Sequence, residues 1–316
     1  MLLKLCKIVA ALAISCSAIG QSTGVIEVYS EDDTVSQYFV RNAELFNQQW
    51  DTLAQPNFWK EVMALSPDSC ILNVAATRRI LFKTSFIEWR KQTDAQKSKY
   101  KDSVRKEYCI ETGTKLYVTS GKNHFYNFEG VLPSISKGVE LFQEFNTDPW
   151  FAQAILLIES PGKVAYSSVG AYGPFQLMKS VARHHGLKVN KYVDERKDFA
   201  KSAKGAAHLI RTSCIPEARR ILKKNGLTFN ETDLWFRLFV LHIYHAGAGN
   251  VDGLITSIDP DNGGMELITT MWQSEWGGFK NASQNYTQVA LASQMILNDM
   301  IMEKSKYIYE CYITHD

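Results

Sequence analysis

The apolar positions of this chain describe a succession of helices with one interruption. Val35, Tyr38, Phe39, Ala43, Phe46 and Trp50 fall near one face of a helix over 33–50, the spacing that a 3.6-residue turn brings together. Pro56 opens a short second helix carrying Phe58, Trp59, Val62 and Met63. Pro67-Asp68 starts a third, through Ile71, Val74, Ala75, Arg78, Leu81 and Phe82 towards Trp89. Asp94 to Tyr108 forms a charged helix with lysines on its outer side, and such a run is a solvated face before it is a binding surface. The interruption lies at 113–128. There Leu116–Thr119 and His124–Phe128 flank Ser120-Gly121-Lys122-Asn123, the pattern of a β-hairpin.

Gly130 to Pro133 marks a boundary, after which the helical pattern resumes. Asp148-Pro149 pairs a capping carboxylate with proline at the first helical position. The segment that follows, Trp150, Phe151, Ala154, Ile155, Leu156, Leu157 and Ile158, is apolar on nearly every side, as in a helix enclosed by a core. It delivers Glu159, and Pro161-Gly162 stops it at once. A carboxylate there faces the negative end of the helix dipole and an apolar preceding turn. Both raise its pKa, as a general acid near neutral pH requires. The competing reading is a glutamate turned outward into water.

Further on, Ser180 to His185 continues a helix that Gly186 ends, and Asp198 caps an alanine-rich helix through Ala203 to Ile210. Pro216 to Asn225 is a short helix closed by Gly226. Thr232-Asp233 caps an apolar helix through Leu234, Phe236, Leu238, Phe239, Leu241 and Tyr244, and Asn285-Tyr286 opens the last long one, Val289 to Met302.

Composition narrows this picture little. Over 316 residues, 45% hydrophobic and 22% charged content is that of an ordinary globular protein, and a net charge of +2 lacks the basic excess of a dedicated nucleic-acid binder. The N-terminus adds more. Lys4 and Lys7 precede an apolar run, Ile8 to Ile14, and small residues follow at Ala18-Ile19-Gly20, predicting an export leader over 1–20. Cys16, after Ala13-Ile14-Ser15, is an alternative, looser lipidation site. Cys70, Cys109, Cys214 and Cys311 remain in the exported chain. At least one disulfide is expected there, Cys70–Cys109 and Cys214–Cys311 being the domain-local choice among three connectivities; four unpaired thiols are the alternative.

The residues after Glu159 carry a long, ordered resemblance. Glu159-Ser160, Ala165-Tyr166-Ser167, Gly170-Ala171-Tyr172-Gly173 and Gln176-Leu177-Met178 resemble the signature of the lysozyme-like lytic transglycosylases, of the soluble and membrane-bound murein transglycosylase types. Glycines suit a loop that folds tightly beside a sugar chain. Asp194-Glu195-Arg196 is similar to the family's Asp-x-Arg segment, and Tyr244-His245-Ala246-Gly247-Ala248-Gly249-Asn250-Val251 to its Tyr-Asn-Ala-Gly-x-Gly-x-Val motif, with His245 for asparagine. Asn285-Tyr286 matches a further family pair, with Ala282 and Ser283 where a Glu-Thr precedes it.

The resemblance covers 131–300 and implies a mainly α fold. A lysozyme-like helical catalytic domain at 131–303 would follow a mostly helical N-terminal region with a short β-hairpin at 21–130, with a tail at 304–316. It implies a peptidoglycan lytic transglycosylase that cleaves the bond between N-acetylmuramic acid and N-acetylglucosamine and closes a 1,6-anhydro ring. Glu159 would be its single acid and base, and Ser167, Gln176, Met178, Tyr244 and Tyr286 would hold the sugars. No metal or cofactor is implied, and the partner is the glycan strand in the periplasm or cell envelope, with membrane association only through Cys16. Two alternatives stay open: a hydrolytic muramidase, which needs a second carboxylate, and a non-catalytic wall-binding protein. The His184-His185 and His242/His245 pairs lack the carboxylate of a metal helix motif, and neither a nucleophile elbow nor a phosphate loop is present.

Overall fold

The computed structural model describes residues 24–28, 36–159, 167 and 170–313, the last ten in their backbone only. The leader expected over 1–20, Cys16 and residues 160–166 fall outside them. The chain is mainly helical. Strands β1 (Val25–Val28) and β2 (Gln37–Val40) pair antiparallel. Helices α1 (Ala43–Asn47) and α2 (Ala54–Ala64) follow, and then β3 (Ser69–Val74) and β4 (Ile80–Ser85). Next come α3 (Phe86–Lys91), α4 (Asp94–Glu107) and β5 (Leu116–Ser120). The rest is helical: α5 (Phe128–Glu144), α6 (Pro149–Glu159), α7 (Lys179–His184), α8 (Phe199–Leu209), α9 (Ile215–Lys224), α10 (Leu234–Ala246), α11 (Ala248–Ile258), α12 (Met265–Met271) and α13 (Asn281–Ile313).

Three N-terminal expectations are corrected. The helix over 33–50 is instead β2 followed by the short α1. The helix from Pro67 towards Trp89 is instead the hairpin β3–β4 leading into α3. Cys70, Ile71, Leu72 and Asn73 of β3 are all buried, so this central strand, covered on both faces, lacks the alternation that would mark it. The hairpin over 113–128 does not form. Leu116–Ser120 pairs with β3 in the order β4-β3-β5, and 124–128 turns into α5. The boundary residues Gly130 and Pro133 lie inside α5.

The disulfide expectation also fails, since Cys70, Cys109 and Cys214 are free thiols. Cys70 is buried inside the sheet, whereas Cys109 is exposed. The side chain of Cys311 lies outside the described residues.

One large core runs from Phe39 to Leu297 and wraps α6, in which every residue from Pro149 to Ile158 is buried. Two small clusters lie under the three-stranded sheet, Phe58 with Val62 and Ile71, and Leu72 with Val104 and Leu116. The region before residue 131 is also tied to the helices after it by polar contacts. Leu234 N at the start of α10 donates to Glu44 Oε2 at 2.5 Å, so the cap expected from Asp233 comes from α1. No described helix is long and apolar enough to cross a membrane.

Candidate active site

Asp148 sets the entry of α6. Its Oδ1 accepts from Trp150 N at 3.0 Å and its Oδ2 pairs with Arg237 of α10 at 2.8 Å. The helix then carries Glu159 out of the core at its last residue. Glu159 keeps a narrow opening to solvent, yet protein atoms enclose its carboxyl so closely that desolvation raises its pKa to about 7. Hydrogen-bonding attraction from Tyr286 pulls more weakly the other way. At neutral pH the group is therefore close to half protonated.

Three phenols feel this carboxyl: Tyr244 of α10, Tyr286 of α13 and Tyr126 of the loop before α5. Burial and then the charge on Glu159 raise all three hydroxyls, keeping them protonated. Tyr244 donates to the carbonyl of Phe175 at 2.6 Å. The Tyr286 hydroxyl lies within the electrostatic reach of Glu159 but closes no full hydrogen bond. It is a buried donor held beside the acid.

The glycine-rich loop owes its shape to internal contacts. Ser167 Oγ accepts from Ala171 N at 2.9 Å, and Tyr172 bridges Leu177. Gln176, in the left-handed region at φ 46°, turns its amide to the carbonyl of Gly173 at 2.9 Å. Gly173 (φ 86°) packs against the backbone of Arg196, where a Cβ would stand 1.9 Å from the Arg196 carbonyl oxygen. That glycine is thus required by chain against chain. The Arg196 guanidinium is buried and donates to the carbonyls of Gly170 at 3.0 Å and Leu177 at 2.9 Å. Asp194 holds it from the other side at 2.9 and 2.7 Å. The Asp-x-Arg segment clamps the loop.

Gln176, Met178 and Tyr244 line one cavity of about 200 Å³ together with Cys214 and Ile243. Met178 is 40% exposed at its edge. Five residues of π-helix, Ile210–Cys214, join α8 to α9 along this wall; widened turns of this kind recur at functional sites. Burial pushes the Cys214 thiol up to about 12, so it remains a neutral lining group. Tyr244 links this cavity to Glu159, and Tyr286 joins them from α13. Ser167 turns its hydroxyl into the loop.

The departures from the family pattern have definite places. The His245 ring lies against Tyr286, centroids 4.4 Å apart, and burial lowers its pKa. His242 is buried, meets Thr287 Oγ1 at 2.9 Å, and is kept neutral with a pKa near 3 by burial. The two histidines thus turn to different partners. His185 and His208 meet at 3.0 Å, away from both. Ala282 is exposed.

Sequence reasoning missed Tyr126 and Arg196 as parts of the site. Tyr126 lies 33 residues before Glu159 by the numbering, in a stretch read as a hairpin. Arg196 had a signal, a cation two residues after Asp194.

Residues 140–257 match the family model of the transglycosylase SLT domain. The match contains Glu159, Ser167, Gln176, Met178 and Tyr244 and ends before Tyr286. No curated protein and no solved structure matches the chain.

Proposed function

We propose that this chain, whose residues 140–257 belong to the lysozyme-like lytic transglycosylases acting on peptidoglycan, uses Glu159 as its single acid and base. The observation that carries this reading is the setting of that carboxyl. Its pKa is raised to about 7, and its described titratable neighbours are three phenols and no carboxylate.

A glycosidase that uses water needs a second carboxyl group, as nucleophile or as base. The candidates near the motifs are engaged elsewhere: Asp194 with Arg196, Glu195 with Lys201, Asp252 with Arg220 and Lys224, and Asp198 with Lys201 N. A single carboxyl suits a substrate that supplies its own nucleophile. Protonated Glu159 gives its proton to the glycosidic oxygen between N-acetylmuramic acid and N-acetylglucosamine, and the C1–O bond breaks. The carboxylate so formed takes the proton of the muramyl C6 hydroxyl as O6 bonds to C1. The 1,6-anhydro ring closes, water is neither consumed nor released, and Glu159 regains its proton. Neutral phenols at Tyr126 and Tyr286 bring hydrogen-bond donors to the charge that develops on the carboxylate, while Tyr244, its O–H given to the Phe175 carbonyl, adds a neutral wall. Gln176, Met178 and Tyr244 line the neighbouring cavity for sugar, and Ser167 shapes the loop. An export leader over 1–20 takes the enzyme to its substrate in the envelope.

Digestion of purified cell wall followed by mass spectrometry tests the reading. Anhydro-muropeptides are expected. Reducing muropeptides would establish the hydrolase, and no products the wall-binding protein.

A further inference from the structure

Arg78, on the turn between β3 and β4, has no role in the chemistry described above, and its setting is costly. Its backbone is left-handed at φ 58°, a region that side chains with a Cβ seldom adopt. It is 5% exposed. The guanidinium lies over the rings of Phe58, Trp59 and Tyr117 at 5.5, 6.0 and 5.4 Å, and burial lowers its pKa. No carboxylate among the described residues pairs with it. Its hydrogen bonds run from Nη2 to two neutral amides, Asn281 Oδ1 at 3.1 Å and Asn285 Oδ1 at 2.6 Å.

Those amides stand four residues apart in the opening turns of α13, on one face of the helix. A cation there opposes the helix dipole, and a buried charge without a counter-charge is a liability. What it does achieve is geometric. Asn285 is followed by Tyr286, whose ring is fixed by His245 at 4.4 Å and whose hydroxyl is the buried donor beside Glu159. The same two parts meet again where Trp59 Nε1 donates to Gln288 Oε1 at 3.1 Å and Lys60 pairs with Asp299 at 2.6 Å.

We propose that Arg78 is a positioning residue for the acid centre, holding Asn281 and Asn285 so that the first turns of α13 present Tyr286 to Glu159. This rests on Glu159 being the acid. The N-terminal region, which lies outside the matched family domain, is in this role a functional part of the site.

The test uses the full chain, a soluble glycan strand as substrate, and Arg78→Met, Arg78→Lys, Asn285→Ala and Glu159→Gln. Circular dichroism establishes folding. Among the described residues the titratable groups facing Glu159 are Tyr126, Tyr244 and Tyr286, all phenols, so the falling high-pH limb of kcat is read as that of Glu159. Arg78→Met and Asn285→Ala should each lower kcat about tenfold, less than the roughly 10²–10⁴-fold of losing a general acid outright, with KM little changed. Both should move the limb to higher pH, because the Tyr286 hydroxyl favours the ionised carboxyl. Arg78→Lys, which keeps the charge and donors, should restore part of kcat. The double variant should lose no more than the worse single one, since both break one clamp.

Folded Asn285→Ala with the kcat and pH limb of the wild type would overturn the proposal. So would a lowered kcat with an unmoved limb, the sign of a merely structural role. If Arg78→Met does not fold, Asn285→Ala decides alone. An active Glu159→Gln would sink the reading of Glu159 as the acid. An inactive Glu159→Gln beside an unaffected Asn285→Ala would sink only the role of Arg78.

Discussion

Glu159 ends α6 among buried phenols, while Asp194, Glu195 and Asp252 each face a cation within 3.0 Å. In the first setting burial raises a carboxyl pKa to about 7; in the second, ion pairing holds Glu195 and Asp252 below the usual carboxylate range, through Lys201 and Lys224 first. One carboxyl can hold and release a proton near neutrality. Glu195 and Asp252 are held as anions, and with Asp194 they serve as clamps. On the proposed reading, proximity to a motif does not make a carboxylate catalytic; its surroundings decide which proton it can move.

The sharpest way to break this contrast is Glu159→Gln. Turnover should fall about 10²–10⁴-fold, the usual contribution of a general acid or base, measured as product release from cell wall. Stability should move the other way. A carboxyl whose folded pKa of about 7 exceeds its ordinary 4.5 favours the folded state less as pH rises between those values. Relative to wild type, Glu159→Gln should therefore gain up to about 3 kcal/mol at pH 8, taking about 1.4 kcal/mol per pKa unit. Near pH 4 the gain should vanish. Urea unfolding at the two pH values checks this.

Asp194→Asn should cost about 3–5 kcal/mol, the range for removing one partner of a buried ion pair, because Arg196 is 2% exposed. Urea melts should show the loss, and turnover should fall through the loosened loop and recover at lower temperature. The smallest effect is expected at Asp252→Asn. Pairs at the surface contribute about 0–1 kcal/mol, so its melting curve and turnover should both stay near wild type. An Asp252→Asn enzyme that is folded, binds wall and is inactive would make Asp252 a second essential carboxylate and favour the hydrolase.

Much of this was legible from the chain alone. The unbroken apolar run before Glu159 marks an enclosed helix, and the caps at Asp148 and Asp198 sit where the residue types place them. The strands were not legible. Ile71, Val74, Ala75, Arg78, Leu81 and Phe82 have helical spacing, and β3 is buried on both faces, so period alone could not separate the two structures. For the site, the motifs led to Glu159, Tyr244 and Tyr286, whereas Tyr126 reaches the Glu159 carboxyl only through tertiary packing. The loop glycines were expected to let the chain fold tightly, and Gly173 does so at φ 86°; that its close neighbour is the Arg196 backbone is a contact that sequence spacing does not carry.

The most direct measurement is the ionisation of Glu159 itself. Carbon-13 NMR of protein labelled at the glutamate carboxyls, with Glu159→Gln to assign the signal, follows that group through pH. A midpoint of about 7 is expected for the Glu159 carboxyl. A midpoint at its ordinary value of 4.5 would mean an anion at neutral pH, with no proton to give the glycosidic oxygen, and would contradict its role as the acid.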